Sequence, residues 1–102
     1  MKDVKLTILK CTFDEELAKE YGVAGLTACP VHKPGEVFIC KGGDRPQGIC
    51  GGVWDACKQM VFALAVGNDV DFYDGTWVRE KGVAIQACND GLRPVIIKVE
   101  AL

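Results

Sequence analysis

Six cysteines and a single histidine are the residues of this chain with the most chemistry to offer. Two of the cysteines, Cys50 and Cys57, bracket a tryptophan in the stretch GICGGVWDAC, Gly48 to Cys57. Thiols in such a pattern serve as a redox pair, as ligands of one metal, or as small apolar residues in a core. Along a helix their separation puts the Cα atoms roughly 10 Å apart. A disulfide spans about 4.4–6.8 Å. That excludes a dithiol pair within one helix and argues against a metal shared by both.

The two cysteines therefore have different jobs. Cys57 shares a helical face with Val53, Met60, Val61 and Leu64, which reads as core. Cys50 stands just before Gly51-Gly52, which marks the start of a helix at about Val53. Unpaired N–H groups and the helix dipole stabilise an anion there. A thiol so placed becomes a better nucleophile or metal ligand. The two glycines leave room for a ligand to approach. The plainer alternative is a small residue packed beneath Trp54.

The other cysteines sort by position. Cys11 ends the first strand and Cys40 lies inside the second, and both read as strand packing. Cys29 opens the loop sequence CPVH, whose C-x-x-H spacing with His32 can supply two ligands to one zinc or iron ion. Cys88 ends a strand just before the Asn89-Asp90-Gly91 turn. Cys29, His32, Cys50 and Cys88 thus form a candidate metal set. It suits tetrahedral zinc, or three ligands of an iron–sulfur cluster with an unusual fourth. The alternative is that all are reduced, partly buried thiols. Cys50, Trp54, Asp90 and Arg93 form a candidate ligand pocket, with turn chemistry and a surface ion pair as the plainer reading of Asp90 and Arg93.

The elements that position these residues follow from periodicity. Val4, Leu6 and Ile8 alternate with other residues as a strand does. TFDEELAKEYG reads as a short helix with a capping box of Thr12 and Glu15, an apolar face of Leu17 and Tyr21, and Gly22 as its stop. Gly25 to Gly35 is loop, and Glu36 to Lys41 a second strand. The long helix runs from about Val53 to Val66 and stops at Gly67-Asn68. DVDFYDGTWVREKG is an irregular connection. VAIQAC and PVIIKVEAL are strands joined by NDGLR, close enough for an antiparallel hairpin. The order β-α-β-α-β-β predicts an α+β fold in one domain, residues 1–102. Its single, mostly antiparallel sheet, open or curled toward a partial barrel, is expected to lie under one long and one short helix.

GICGGVWDAC followed by GVAIQACNDGLRPVIIKVE resembles a family of small uncharacterised proteins, found mostly in anaerobic bacteria and archaea. Members carry a Cys-Pro before the second strand, matched by Cys29-Pro30. They carry a Cys followed by a Trp at the start of the long helix, matched by Cys50 and Trp54. They end in Cys-x-Asp-Gly-Leu-Arg-Pro-Val, matched by Cys88, Asp90, Gly91, Leu92, Arg93, Pro94 and Val95. The resemblance covers nearly the whole chain. It implies that Cys29, Cys50 and Cys88 matter, while Cys11, Cys40 and Cys57 lie outside the pattern. Gly51, Gly52 and Val53 stand where similar sequences have bulkier residues, which implies a roomier pocket beside Cys50.

The bulk numbers narrow the function classes. With 102 residues, 49% hydrophobic and 25% charged, the chain has ordinary globular usage. A net charge of −2 and scattered basic residues give no footprint for nucleic acid. The longest apolar run, Met60 to Val66, is too short to span a bilayer, and the start shows no signal-peptide pattern. The expectation is a soluble cytoplasmic protein, where a disulfide framework is not favoured. One histidine and no carboxylate pair argue against an acid/base enzyme. Two classes remain. One is a metal- or iron–sulfur-binding, or thiol-dependent, accessory protein of anaerobic metabolism. The other is a non-catalytic small-molecule-binding or homo-oligomeric module with structural thiols, in which Trp54, Phe72, Tyr73 and Trp77 line a pocket.

Overall fold

The structure, a computed structural model, describes residues 1–67, 70–73 and 75–102. Asn68 of the expected helix stop, and Asp69 and Asp74 of the connection, lie outside the described residues. The elements follow in the order β1 (Val4–Cys11), α1 (Glu15–Tyr21), β2 (Val37–Cys40), α2 (Gly51–Val66), β3 (Val83–Ala87) and β4 (Val95–Ala101). One turn of 3-10 helix, Lys41–Gly43, follows β2. The four strands form one open antiparallel sheet in the order β2-β1-β4-β3. The sheet therefore has two edges, β2 and β3, and does not curl toward a barrel.

Alternation decides which face is buried. Val4, Leu6 and Ile8 of β1 and Val95, Ile97 and Val99 of β4 all turn to one side and are buried. A shift of register between Ile8 and Lys10 leaves Leu9 as the extra residue of a bulge. Across this face lies α2, whose Val53, Cys57, Val61 and Leu64 recur at helical spacing and complete the core with Cys40 and Ala84. The helix is tied at its far end, where Lys2 N–H donates to the Ala65 carbonyl at 2.9 Å.

The long helix starts two residues earlier than its sequence suggests, because Gly51 and Gly52 already have helical geometry. Cys50, with extended φ/ψ of −61° and 138°, is then its N-cap. The short helix also departs from expectation. Its N-cap is Asp14, whose carboxylate accepts from Leu17 N–H at 3.0 Å, and not Thr12 with Glu15. Thr12 instead spends both its N–H and its hydroxyl on the Pro94 carbonyl. Leu17 and Tyr21 are exposed, Tyr21 at 71%, and α1 buries only Ala18. It therefore does not cover the sheet as α2 does. Among the described residues no helix is long and apolar enough to cross a membrane.

Candidate functional site

The antiparallel topology brings the carboxyl ends of β1 and β3, the start of β4 and the amino end of α2 to one end of the sheet. There a cavity of about 160 Å³ is lined by Cys29, Cys50 and Cys88, together with His32, Asp90 and Arg93. Val31, Val53 and Val95 supply its apolar wall. The three cysteines singled out by sequence come from a loop, a helix cap and a strand end, and they meet at this one place.

His32 holds the arrangement together. It is 4% exposed, and its ring lies edge-on to Phe38 at 5.1 Å between centroids. The Cys50 N–H donates to His32 Nε2 at 3.0 Å. Nε2 must therefore present its lone pair, which leaves the proton on Nδ1. Nδ1 donates to Glu36 Oε1 at 3.0 Å. Both ring nitrogens are thus engaged, and the imidazole satisfies one of the orphan N–H groups that begin α2. His32 acts here as a strut under Cys50. A metal ligand needs the lone pair that Cys50 N–H now occupies.

Zinc or an iron–sulfur cluster on Cys29, His32, Cys50 and Cys88 does not fit this disposition. Among the described residues no three of the His, Cys, Asp and Glu side chains are placed to hold one metal ion. The thiols have other neighbours. Val95 N–H donates to Cys88 Sγ at 3.3 Å. Cys11, read from sequence as strand packing, donates its thiol proton to the His32 carbonyl at 3.2 Å. Burial, followed by the nearby Cys29 and Cys88, raises the Cys11 pKa above its ordinary value. Cys11 and Cys88 both stand opposite Val95, one on each side of β4. That shared partner is the signal by which Cys11 could have been grouped with the site.

Cys40 and Cys57 are core residues, each 0% exposed. Burial pushes the Cys40 thiol up to about 11 and the Cys57 thiol up to about 12. All six cysteines are free.

The turn behaves as its composition suggests. Asp90 accepts from the N–H groups of Leu92 at 2.9 Å and Arg93 at 3.0 Å, and pairs with Arg93 Nε at 3.2 Å. Those two backbone bonds, aided by the guanidinium, hold the Asp90 carboxyl below its usual range. Trp54 is the member of the expected ligand pocket that lies elsewhere. It lines a separate groove with Gly43, Lys58 and Phe62. Tyr73 stands 4.9 Å from Trp77 and 6.4 Å from Phe72. Gly52 lines the same cavity, and a Cβ there would sit 3.9 Å from both Cys50 Sγ and Asn89 N, ordinary van der Waals contact.

The fold and site together define an α+β protein with one helix-covered sheet and a thiol-lined cavity at the helix N-cap. No protein family, no curated protein and no solved structure matches the chain.

Proposed function

We propose that this is a thiol-dependent accessory protein whose working site is the cavity at the amino end of α2, with Cys50 as its reactive thiol and Cys29 and Cys88 beside it. The observation that supports this reading is the lining of one cavity by Cys29, Cys50, Cys88, Asp90 and Arg93. These residues come from separate parts of the chain. They are also the ones that carry its resemblance to the small-protein family of anaerobes. On this reading the chain is a member of that family and works in the cytoplasm, where reduced thiols persist. The ligand is small, because the cavity holds about 160 Å³.

The test is alkylation of the folded protein by iodoacetamide across a pH series, read by peptide mass. Cys50 is expected to be modified first, and Cys40 and Cys57 only on unfolding. A Cys50 that stays unlabelled until the protein unfolds would defeat the proposal and leave the thiols as packing residues in a binding or oligomeric module. The metal alternative needs the three cysteines to move together and a fourth ligand other than His32. Metal analysis of protein purified without oxygen addresses it: stoichiometric zinc or iron would displace the thiol reading.

A further inference from the structure

His32 is the single histidine of the chain, and among the described residues it is the one buried side chain that is polar or charged. The partners of its two ring nitrogens favour different protonation states. Nε2 accepts the Cys50 N–H at 3.0 Å, which only the neutral ring can do. Nδ1 faces Glu36 Oε1 at 3.0 Å, a carboxylate that favours the charged ring.

Protonation of Nε2 sets two N–H donors against each other across 3.0 Å, with no acceptor between them. That pair has to separate. The other ties of His32 survive the change. Nδ1 still donates to Glu36, now as an ion pair. The His32 carbonyl still accepts the Cys11 thiol of β1 at 3.2 Å. The histidine therefore stays with the sheet, and the contact that breaks is the one to α2. That contact joins two walls of the cavity: Cys29, Val31 and His32 on one side, and Cys50, Gly52 and Val53 on the other.

The remaining ionisable groups around the ring come from several elements. Cys29 belongs to the same loop, Cys88 ends β3, and Asp90 and Arg93 come from the turn before β4. Asp90 and Arg93 pair with each other at 3.2 Å, so their charges offset. Lys33, the next residue, is exposed, and its N–H shares Glu36 Oε1 at 3.2 Å. Among the described residues, the hydrogen bonds of the ring itself go to Glu36 and Cys50.

We infer that His32 is a pH-sensitive latch: taking up a proton releases the N-cap of α2 from the segment Cys29–His32 and loosens the cavity between them. The latch consists of a ring and a backbone N–H, so it stands whether or not the thiols react. Where they do, it makes the shape of their site depend on pH.

Nuclear magnetic resonance of the intact, reduced, isotope-labelled protein tests this between about pH 8 and about pH 5, the range in which histidine side chains titrate. The ring nitrogens report protonation, and the Cys50 amide reports the latch. As the ring takes up its proton, the Cys50 amide proton should move upfield with the same midpoint. Its exchange with solvent, corrected for the intrinsic pH dependence, should rise about tenfold, as for the loss of one hydrogen bond. In His32→Gln, whose amide oxygen can hold the Cys50 N–H but does not titrate, both should stay level. Glu36→Gln should lower the midpoint by about half a pH unit or more through loss of the ion pair. A ring that titrates while the Cys50 amide stays still would overturn the proposal. So would a ring that stays neutral in the folded protein throughout the range, or a Cys50 amide that moves as far in His32→Gln as in the wild type. If the glutamine variant does not fold, the ring and amide of the wild type decide alone. Alkylation enters neither readout, so an unreactive Cys50 would defeat the thiol reading and leave the latch intact.

Discussion

Replacing His32 with leucine tests the idea that this residue positions the N-cap rather than binding metal. His32→Leu keeps the apolar bulk of a side chain that is 4% exposed but removes the acceptor for Cys50 N–H. The Cys50 N–H is part-buried, so orphaning it costs up to about 1–3 kcal/mol. The lost bond to Glu36 adds under about 1 kcal/mol, because that side chain is exposed, at 42%. Loss of the edge-on contact with Phe38 adds about 0.5–1 kcal/mol, partly returned by leucine packing. The sum is about 2–4 kcal/mol, a large part of the roughly 5–15 kcal/mol of a typical domain. In thermal terms that is a fall of about 10 °C or more. His32→Gln, which can offer an amide oxygen near the position of Nε2, should recover more than half of the loss. Urea titration at neutral pH measures both, and Cys50 alkylation in the folded variants reports whether the cap has moved. If His32→Leu lies within about 0.5 kcal/mol of wild type, or glutamine does no better than leucine, the strut does not exist. The ring nitrogens are then free, and the ligand role returns.

Two further outcomes are expected. Cys57→Ala removes one fully buried atom, and lost transfer energy plus the small cavity left behind come to about 1–1.5 kcal/mol. Denaturant unfolding should show that loss with Cys50 labelling in the folded state unchanged; altered labelling would show that Cys57 belongs to the site. Asp90→Asn should be destabilising at neutral pH and converge with wild type in acid. The folded-state carboxyl of Asp90 lies below its ordinary value of 3.8, so its contribution is complete above that pH and is lost as pH falls through the lowered value. A stability difference unchanged from neutral pH to about pH 2 would show that the charge on Asp90 contributes nothing.

Local pattern carried the strands and the long helix, and failed where distant contacts decide. The alternation of β1 and β4 and the helical spacing from Val53 to Leu64 are properties of contiguous residues, and the structure keeps them. The Thr12 capping box was a plausible local motif, but Thr12 is drawn to Pro94, 82 residues away. Leu17 and Tyr21 form an apolar face, yet α1 sits beside the sheet, and only Ala18 is covered. Within the site, Cys50 and Cys88 were legible from their places at a helix start and a strand end, and Cys29, which lies within a loop, from its C-x-x-H spacing with His32. The role of His32 was not, because spacing does not say where a lone pair points. Trp54 was misplaced for a geometric reason. It follows Cys50 by four residues, which on a helix means one face, but Cys50 is an extended cap and has no helical face. Trp54 instead lies one residue beyond buried Val53, a turn of about 100° away from the core.

Five of the six thiols fall into two populations, and their surroundings explain why. Cys40 and Cys57 sit among aliphatic side chains, where burial disfavours the thiolate and leaves a small, inert filler. Cys11, Cys50 and Cys88 are instead hydrogen-bonded to other segments at the end of the sheet: the Cys11 thiol to the His32 carbonyl, the Cys88 sulfur to Val95 N–H, and Cys50, through its own N–H rather than its thiol, to the His32 ring. Each of those bonds runs between different elements. Cys11 and Cys50 thus meet at His32, and Cys11 and Cys88 at Val95. If the site works by thiol chemistry, this lattice fixes which sulfur faces the cavity. If it does not, the same lattice still accounts for half-buried cysteines at positions where a valine would leave the Val95 N–H bond and the His32 carbonyl bond unmade.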